Sequence, residues 1–309
     1  MVERKKWAIL IAGPTASGKS RAALELARRL GGVIVNADAM QVYAELKVLT
    51  SRPGPEEERL APHRLFGHVA AADAYSAARW LEDARNALAE AWGQGRAAIL
   101  VGGTGLYFRS LEQGLSAIPR VPSEIRSKWR QALAERGPEA LHGELGTLAP
   151  EEARRLRPSD GQRIARALEV LEATGEPLGA HHGRALASSA LAGAEVTRLA
   201  IMPDRDVLYR RCDERFGRML GEGALDEVRR LTALKLDPAL PAMRAIGVAA
   251  LARHLSGDID LDEAVAIARR DTRRYAKRQL TWLRHQMPAF EAVTDEGAAV
   301  ARCLDLNRQ

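Results

Sequence analysis

The chain has 309 residues, of which 46% are hydrophobic and 28% are charged. This length exceeds that of a usual single domain and the composition is ordinary for a globular protein, so disorder is excluded and one large or two smaller units are expected. The formal net charge of +6 fits a polyanionic partner and fits general surface charge equally well.

Cysteine usage and hydropathy bear on the compartment. Cys212 and Cys303 are the two cysteines, too far apart for a CxxC motif and too few for a disulfide framework. The first residues, MVERKKWAILIA, imitate a signal peptide, but their apolar run is too short for membrane targeting and predicts a strand instead. We therefore expect a cytoplasmic protein with no membrane contact.

Short apolar runs alternate with longer helical patterns along the chain. The predicted strands are WAILIA at 7–12, GVIVNA at 32–37, AAILVGG at 97–103 and TRLAIM at 197–202. Between the second and third of these runs, YSAARWLEDARNALAEAW at 75–92 has a helical pattern. The alternation predicts an α/β fold, with a parallel sheet flanked by helices and ligand-binding loops at the carboxyl ends of the strands.

A helical insertion is predicted between the third and fourth of these strands. The stretch IPRVP interrupts the pattern at Pro119, and the residues up to about Gly179 have helical periodicity without a convincing strand. We predict a catalytic core formed by 1–120 and 196–309 and a helical insertion domain at 121–195. Long helices are predicted after the fourth strand.

The segment GPTASGKS follows the first strand and begins a helix, and it matches the phosphate-binding pattern GxxxxGK[ST]. In this context, backbone N–H groups and the helix N-terminus bind phosphate oxygens, Lys19 adds a positive charge, and Ser20 offers a hydroxyl ligand to Mg²⁺. The predicted phosphate-binding residues are Gly13, Pro14, Thr15, Ala16, Ser17, Gly18, Lys19 and Ser20. The loop alone fits a kinase, an ATPase, or an enzyme that releases diphosphate.

Two further loops follow predicted strands and carry polar side chains. Asp38 comes directly after the second strand, where a carboxylate could bind Mg²⁺, act as a general base, or cap the next helix. Thr104 follows the third strand in VGGTGLY, where two glycines allow the backbone to approach a ligand closely. Each signal is weak alone.

Taken together, the motifs resemble those of the tRNA dimethylallyltransferases. They are GPTASGKS, DAMQVY at 38–43, TSRP at 50–53, PHRLF at 62–66, AYSAARW at 74–80, VGGTGLYF at 101–108, QRIARALEVLEATGEPL at 162–178 and AKRQLTWLR at 276–284. The resemblance extends from residue 7 to about residue 290. It implies a P-loop, nucleotide-kinase-like core with a helical insertion that contacts the tRNA anticodon stem-loop.

The resemblance also implies a reaction. A dimethylallyl group would pass from dimethylallyl diphosphate to the exocyclic N6 amine of the adenosine 3′-adjacent to the anticodon, with release of diphosphate. Asp38 would be the base that removes the amine proton, while Lys19, Thr104 and Mg²⁺ would stabilise the departing diphosphate. Arg215 would supply a further cation, although a surface charge would be its usual role on a helix.

A larger set of residues matches the tRNA contacts of the family. It consists of Asp38, Ala39, Met40, Gln41, Thr104, Arg126, Gln162, Arg163, Ile164, Ala165, Arg166, Arg244, Gly247, Lys277, Arg278, Gln279, Thr281, Trp282 and Arg284. The basic run that ends this set could instead be a solvated helix face. Trp282 could stack on a base, but anchoring its helix to the core is the first expectation.

The chain departs from the family pattern at several positions. Ala39 replaces a common Ser, TSRP replaces TAKP, and Val248-Ala249 replace Tyr followed by Arg or Lys. The main rival hypothesis is a P-loop small-molecule or nucleotide kinase, which would share the phosphate-binding loop and the fold. A second rival is a nucleotide-gated RNA-binding protein without catalysis. We expect a monomer.

Overall fold

The structure is a computed structural model that describes residues 6–116, 118–181 and 189–306. It divides into two compact units, Met1–Gln113 with Ser189–Gln309 and Gly114–Ser188. The sequence-predicted boundaries, at 120/121 and 195/196, lie a few residues later in the chain. Residues 182–188 of the predicted insertion lie outside the described residues. Within the described ranges, none of the helices has the length and apolar character needed to cross a bilayer.

The first unit is built on a six-stranded parallel sheet. Its strands are β1 Trp7–Ala12, β2 Val33–Asn36, β3 His63–Arg64, β4 Ala98–Gly102, β5 Glu195–Ile201 and β6 Glu291–Val293. They lie in the order β3-β2-β4-β1-β5-β6, and each neighbouring pair is parallel. The predicted α/β fold is confirmed, and its four strands are β1, β2, β4 and β5. Sequence reasoning did not identify β3 and β6, which are too short to form an apolar run.

Some helices of the described residues flank the sheet, those from α8 to α11 pack on one another, and α5 to α7 belong to the second unit. They are α1 Lys19–Leu30, α2 Pro55–Leu60, α3 Ala77–Gly93, α4 Gly105–Gln113, α5 Ser123–Leu148, α6 Pro150–Arg154, α7 Gly161–Thr174, α8 Arg205–Gly221, α9 Ala224–Ala233, α10 Val248–Leu255, α11 Leu261–Gln286 and α12 Glu296–Leu306. On one side of the sheet, Ile9 and Ile11 of β1 pack with Leu26 of α1 and Val300 of α12. Ala8 and Leu10, which alternate with them and point to the other face, are also fully buried. Burial of both faces explains why the central strands are continuous apolar runs.

The loops after β1, β2 and β4 meet at one edge of the sheet, because the carboxyl ends of parallel strands point the same way. The N–H of Gly13 donates to the carbonyl oxygen of Gly102 at 3.3 Å, and the N–H of Thr104 donates to that of Ala37 at 3.2 Å. A Cβ atom at Gly102 would lie 1.9 Å from the Ala37 oxygen. A glycine is therefore required at 102 because the backbone at Ala37 packs against it. Sequence reasoning had explained this glycine by the close approach of a ligand.

The second unit has a small helical core of its own. Trp129, Leu141 and Leu145 of α5 pack against Ile164 and Leu168 of α7. Helix α5 is interrupted at Gly137, whose φ of 77° departs from helical geometry immediately before Pro138. This interruption lets the two halves of α5 contribute separately to the same core.

Candidate active site

The phosphate-binding loop connects β1 to α1 and holds Lys19 in a buried position. Lys19 Nζ donates to the carbonyl oxygen of Pro14 at 3.1 Å. Burial lowers the pKa of Lys19 to about 8, and the nearby carboxylate of Asp38 partly opposes this shift. Because a buried ammonium group is poorly solvated, an anionic ligand would strongly stabilise the charged form of Lys19. Ser20 is exposed in the first turn of α1.

The loop that follows β2 is fixed by Asn36, which is completely buried. Asn36 Oδ1 accepts the N–H of Asp38 at 2.8 Å, and Asn36 Nδ2 donates to the carbonyl oxygens of Asp38 at 2.9 Å and Leu65 at 3.0 Å. Trp80 Nε1 donates to the carbonyl oxygen of Asn36 at 2.9 Å. Sequence reasoning missed Asn36, although a polar residue that ends a buried apolar strand was an available signal.

Asp38 and Thr104 are brought together by the loops after β2 and β4. Asp38 Oδ1 accepts the N–H of Met40 at 2.9 Å, and no hydrogen bond to Oδ2 occurs among the residues that the structure describes. Thr104 Oγ1 accepts the N–H of Ala39 at 2.9 Å. Because this contact uses Thr104 as an acceptor, its hydroxyl proton remains available to a ligand.

Arg215, on α8, is held against the phosphate-binding loop. Its Nη2 donates to the carbonyl oxygen of Thr50 at 3.0 Å, its Nε donates to Ser51 Oγ at 2.9 Å, and its Nη1 donates to Thr15 Oγ1. Burial lowers the pKa of Arg215, while Asp38 raises it. The guanidinium group is therefore fixed in place next to the loop and is not a free charge on the helix surface.

A cavity of about 260 Å³ opens beside these groups. Its polar lining includes Thr15, Asp38 and Arg215. Its apolar and aromatic lining includes Met40, Leu49, Phe216, Met219, Ile246 and Tyr275. Burial, followed by the charge of Asp38, raises the pKa of Tyr275, which keeps its phenol neutral. Arg244 and Arg278 also line the cavity. The cavity thus places a carboxylate and three guanidinium groups around a space suited to a small apolar group, and sequence reasoning did not identify Tyr275.

Gln279 and Trp282 of α11, both in the set matched to tRNA contacts, face the protein, which for Trp282 was the first expectation. Gln279 is buried; its Oε1 accepts the N–H of Thr15 at 2.9 Å and its Nε2 donates to the carbonyl oxygen of Gly103 at 3.0 Å. The indole of Trp282 lies beside Gly105, where a Cβ atom would be 1.8 Å from Trp282 Nε1. Gln279 therefore ties the phosphate-binding loop to the loop that carries Thr104.

Five other residues of the first unit that are predicted to contact tRNA are exposed. They are Arg244, Lys277, Arg278, Thr281 and Arg284. Ala39 and Met40 are half-buried, and Gln41 Nε2 donates to the carbonyl oxygens of Thr50 at 2.9 Å and Ser51 at 3.2 Å.

The segment with the Val248-Ala249 departure begins helix α10. Gly247 is buried and has a φ of 95°, which favours glycine at this N-cap. Val248 is buried and Ala249 is exposed. Val248, which stands where the family has tyrosine, is therefore a core residue. Ala249, which stands where the family has a cation, is on the surface.

In the second unit, too, some of the residues predicted to contact tRNA are exposed and others are buried. Gln162 and Arg163 are exposed, whereas Ile164 and Ala165 are buried in the core of this unit. Arg166 Nη1 donates to Glu169 Oε2 at 3.0 Å. The guanidinium group of Arg126 donates to the carbonyl oxygen of Val121 at 3.2 and 3.0 Å. Of the five consecutive matches from 162 to 166, two side chains are exposed, one is half-buried and two are buried.

Comparison with known proteins assigns the family. The profile of the IPP transferase family matches residues 41–286, and that of isopentenyl transferase matches 7–68. The chain is 54% identical over 295 residues to a tRNA dimethylallyltransferase of Rhodopseudomonas palustris, covering 96% of this chain and 92% of that protein. It is 54% identical over 298 residues to a tRNA dimethylallyltransferase of Methylobacterium radiotolerans, covering 96% of each.

Solved structures agree. A tRNA isopentenylpyrophosphate transferase of Staphylococcus epidermidis aligns with a TM-score of 0.69 at 28% identity, covering 99% of this chain and 100% of that one. A eukaryotic dimethylallyltransferase crystallised while acting on tRNA aligns with a TM-score of 0.82 at 25% identity, covering 98% of this chain and 79% of that one. With a phosphate-binding loop, a facing carboxylate and these relatives along nearly its whole length, the chain belongs to the IPP transferase family.

Proposed function

We propose that the chain transfers a dimethylallyl group from dimethylallyl diphosphate to the exocyclic N6 amine of the adenosine 3′-adjacent to the anticodon in tRNA, releasing diphosphate. The relatives named tRNA dimethylallyltransferase support this reaction. The structural observation that carries the proposal is that Asp38 and Arg215 line one cavity next to the phosphate-binding loop. A base for the acceptor and a cation for the leaving group thus share one space.

The acceptor needs a base, because the lone pair of an adenine amine is conjugated with the ring and the amine must lose a proton during the reaction. Asp38 Oδ1 already accepts the N–H of Met40. We therefore assign the proton to Asp38 Oδ2. As the bond from N6 to the allylic carbon forms, the bond from that carbon to the diphosphate oxygen breaks and its electron pair leaves with diphosphate.

The leaving group needs positive charge and hydrogen-bond donors that are already in position. Lys19 supplies a buried ammonium group, Arg215 a fixed guanidinium group, and Thr104 a hydroxyl proton that its contact with Ala39 leaves free. Donors that are fixed before the reaction cost no reorganisation as charge develops on the diphosphate oxygens. We assign these three residues to diphosphate stabilisation.

Mg²⁺ is expected as the cofactor, and the phosphate-binding loop has oxygen groups that fit it. Ser20 is exposed in the first turn of α1, and Ser17 Oγ is buried without a hydrogen-bond partner among the described residues. Mg²⁺ in phosphate sites is commonly held by few protein oxygens together with substrate phosphates and water. We propose that Ser20 holds the ion, which when bound would neutralise charge on the diphosphate.

Recognition of tRNA is assigned to the exposed residues of each unit. Structured RNA is bound largely through phosphate and 2′-hydroxyl contacts, which suit exposed cations such as Lys277, Arg284 and Arg163. The target adenosine must leave the anticodon-loop stack to reach Asp38, and Met40 lies beside that carboxylate. A tRNA substrate, which the relatives' names support, favours the cytoplasm. The monomeric state remains a prediction, which sedimentation of the purified protein would test.

The decisive experiment is a transfer assay. Purified protein is incubated with dimethylallyl diphosphate, Mg²⁺ and unmodified tRNA in the absence of ATP, and the RNA is digested to nucleosides. We expect prenylated adenosine that depends on the prenyl donor. A protein that hydrolyses ATP, or transfers its phosphate, and leaves tRNA unmodified would instead support the kinase hypothesis.

A further inference from the structure

One buried carboxylate outside the groups that would touch the substrates is tied to three successive backbone amides. Glu227 lies in the first turn of α9 and is buried. Its Oε2 accepts the N–H groups of Lys47 and Val48, each at 2.7 Å, and its Oε1 accepts that of Leu49 at 2.9 Å. Successive backbone amides form an anion-binding concavity, and here the anion is a side chain of the protein itself.

The segment 47–51, here called the anchor loop, carries two of the acceptors that hold Arg215. These acceptors are the carbonyl oxygen of Thr50 and the hydroxyl of Ser51. The carbonyl oxygen of Thr50 also accepts the side-chain amide of Gln41. Ser51 has a φ of 48°, a left-handed conformation that a serine adopts only when its surroundings impose it. The position of the Arg215 guanidinium therefore depends on the conformation of the anchor loop.

We propose that Glu227 is a positioning residue for diphosphate binding and departure. It fixes the anchor loop through the amides of 47–49, and the anchor loop in turn fixes the guanidinium of Arg215 beside Thr15. The proposal rests on the proposed function, because it assigns Arg215 to the diphosphate. Glu227 touches neither substrate in this scheme and acts through the backbone.

The carboxylate is well suited to this task for a chemical reason. An ionised carboxylate is acceptor-only, so both of its oxygens can face the N–H groups of the loop. A glutamine of the same shape places an N–H₂ donor against at least one of those N–H groups, which leaves a buried donor unpaired. Glu227→Gln therefore changes the charge and the hydrogen-bond pattern while leaving the volume almost unchanged.

The test compares Glu227→Gln with the wild-type protein by three measurements. Hydrogen exchange reports on the amides of Lys47, Val48 and Leu49, calorimetry reports on binding of inorganic diphosphate, and steady-state kinetics report kcat and the KM values for both substrates. We expect faster exchange at the three amides and about tenfold weaker diphosphate binding, as for loss of a charged hydrogen bond. We also expect about tenfold lower kcat, with KM for tRNA unchanged.

Glu45→Gln is the matched control. Glu45 Oε2 accepts the backbone N–H of Ala71 at 2.8 Å, and its hydrogen bonds among the described residues do not include Arg215 or the anchor loop. The same chemical change at Glu45 is expected to leave diphosphate binding and kcat unchanged. A similar loss in both variants would indicate general destabilisation and would overturn the assignment to Arg215.

A double mutant separates positioning through Arg215 from any other effect. In the Arg215→Ala background, Glu227→Gln is expected to change diphosphate affinity by less than about twofold, because its partner in the scheme is already absent. A full and additive loss in that background overturns the proposal. Wild-type diphosphate affinity in a Glu227→Gln protein whose anchor-loop amides exchange faster also overturns it.

A second variant guards against misfolding. Glu227→Asp keeps the charge but withdraws the carboxylate by one methylene, and we expect a smaller loss of diphosphate affinity in the same direction. Normal affinity together with faster exchange at Val48 would contradict the proposal here as well. The exchange and diphosphate measurements do not require prenyl transfer, so failure of the wild-type protein to modify tRNA would count against the proposed function alone.

Discussion

The first unit carries two sets of cations that differ in their surroundings. Lys19 and Arg215 are tied to fixed oxygen acceptors beside the phosphate-binding loop, whereas Lys277 and Arg284 are exposed on α11. A cation that hydrogen bonds hold in one position acts strongly on one small ligand, because little rotamer freedom is lost on binding. Exposed cations act collectively, and salt screens them. The difference predicts which measurement each set will affect.

The largest effect is expected at Asp38, whose carboxylate is close enough to Lys19 and Arg215 to oppose the lowering of both pKa values by burial. Asp38→Asn keeps the shape and the acceptor for Met40 but cannot take a proton, so kcat for prenyl transfer should fall by about 10²- to 10⁴-fold. Binding of tRNA, measured by filter retention, should stay within about twofold of wild type. A variant that retains transfer would remove Asp38 from the role of base.

The next largest effect contrasts one arginine from each set. Arg215→Ala removes a fixed donor to the leaving group, and kcat should fall by about 10²- to 10³-fold. Arg284→Ala should leave kcat within about twofold and weaken only the binding of tRNA. Single-turnover rates with saturating tRNA separate the two outcomes. Equal losses of rate would show that fixation by hydrogen bonds does not distinguish the two sets.

The pH dependence of diphosphate binding should identify Lys19. Burial lowers its pKa to about 8, and the protonated form is the one that attracts an anion. The contribution of Lys19 to the affinity for inorganic diphosphate should therefore be fully present below that pH. The affinity should decline as pH rises through about 8, by up to about tenfold per further pH unit. Calorimetric titrations of the wild type and of Lys19→Met across this range provide the check. The variant should bind weakly with a flatter pH profile, and an equal decline in both would assign the titration to another group.

The smallest effect is expected from single exposed cations, and it appears in the salt dependence. Lys277→Ala and Arg284→Ala should each reduce the slope of log affinity for tRNA against log salt concentration by about 0.7 to 0.9. Diphosphate binding in the same variants should respond to salt as in the wild type. Unchanged slopes for tRNA would show that these side chains do not meet the phosphate backbone.

Helix α11 shows where sequence reasoning reached its limit. The run AKRQLTWLR resembles the tRNA-contacting segment of the family, and the resemblance treats its residues alike. In the structure, Lys277, Arg278 and Thr281 are exposed, while Gln279 is buried and hydrogen-bonded to the loops of Thr15 and Gly103. The sequence does not show that Gln279 points inward from this basic run, because the loops to which it is hydrogen-bonded are distant in the chain.

Local pattern alone determined the parallel α/β fold, the strands β1, β2, β4 and β5, and the phosphate-binding loop. These features depend on apolar runs and on short spacings between nearby residues. Both can be read directly from a single sequence. The tertiary structure decided how the site is held together: Asn36 beneath Asp38, Gln279 between two loops, and Glu227 behind the anchor loop. Their hydrogen bonds join segments far apart in sequence, so their partners are defined only once the chain has folded.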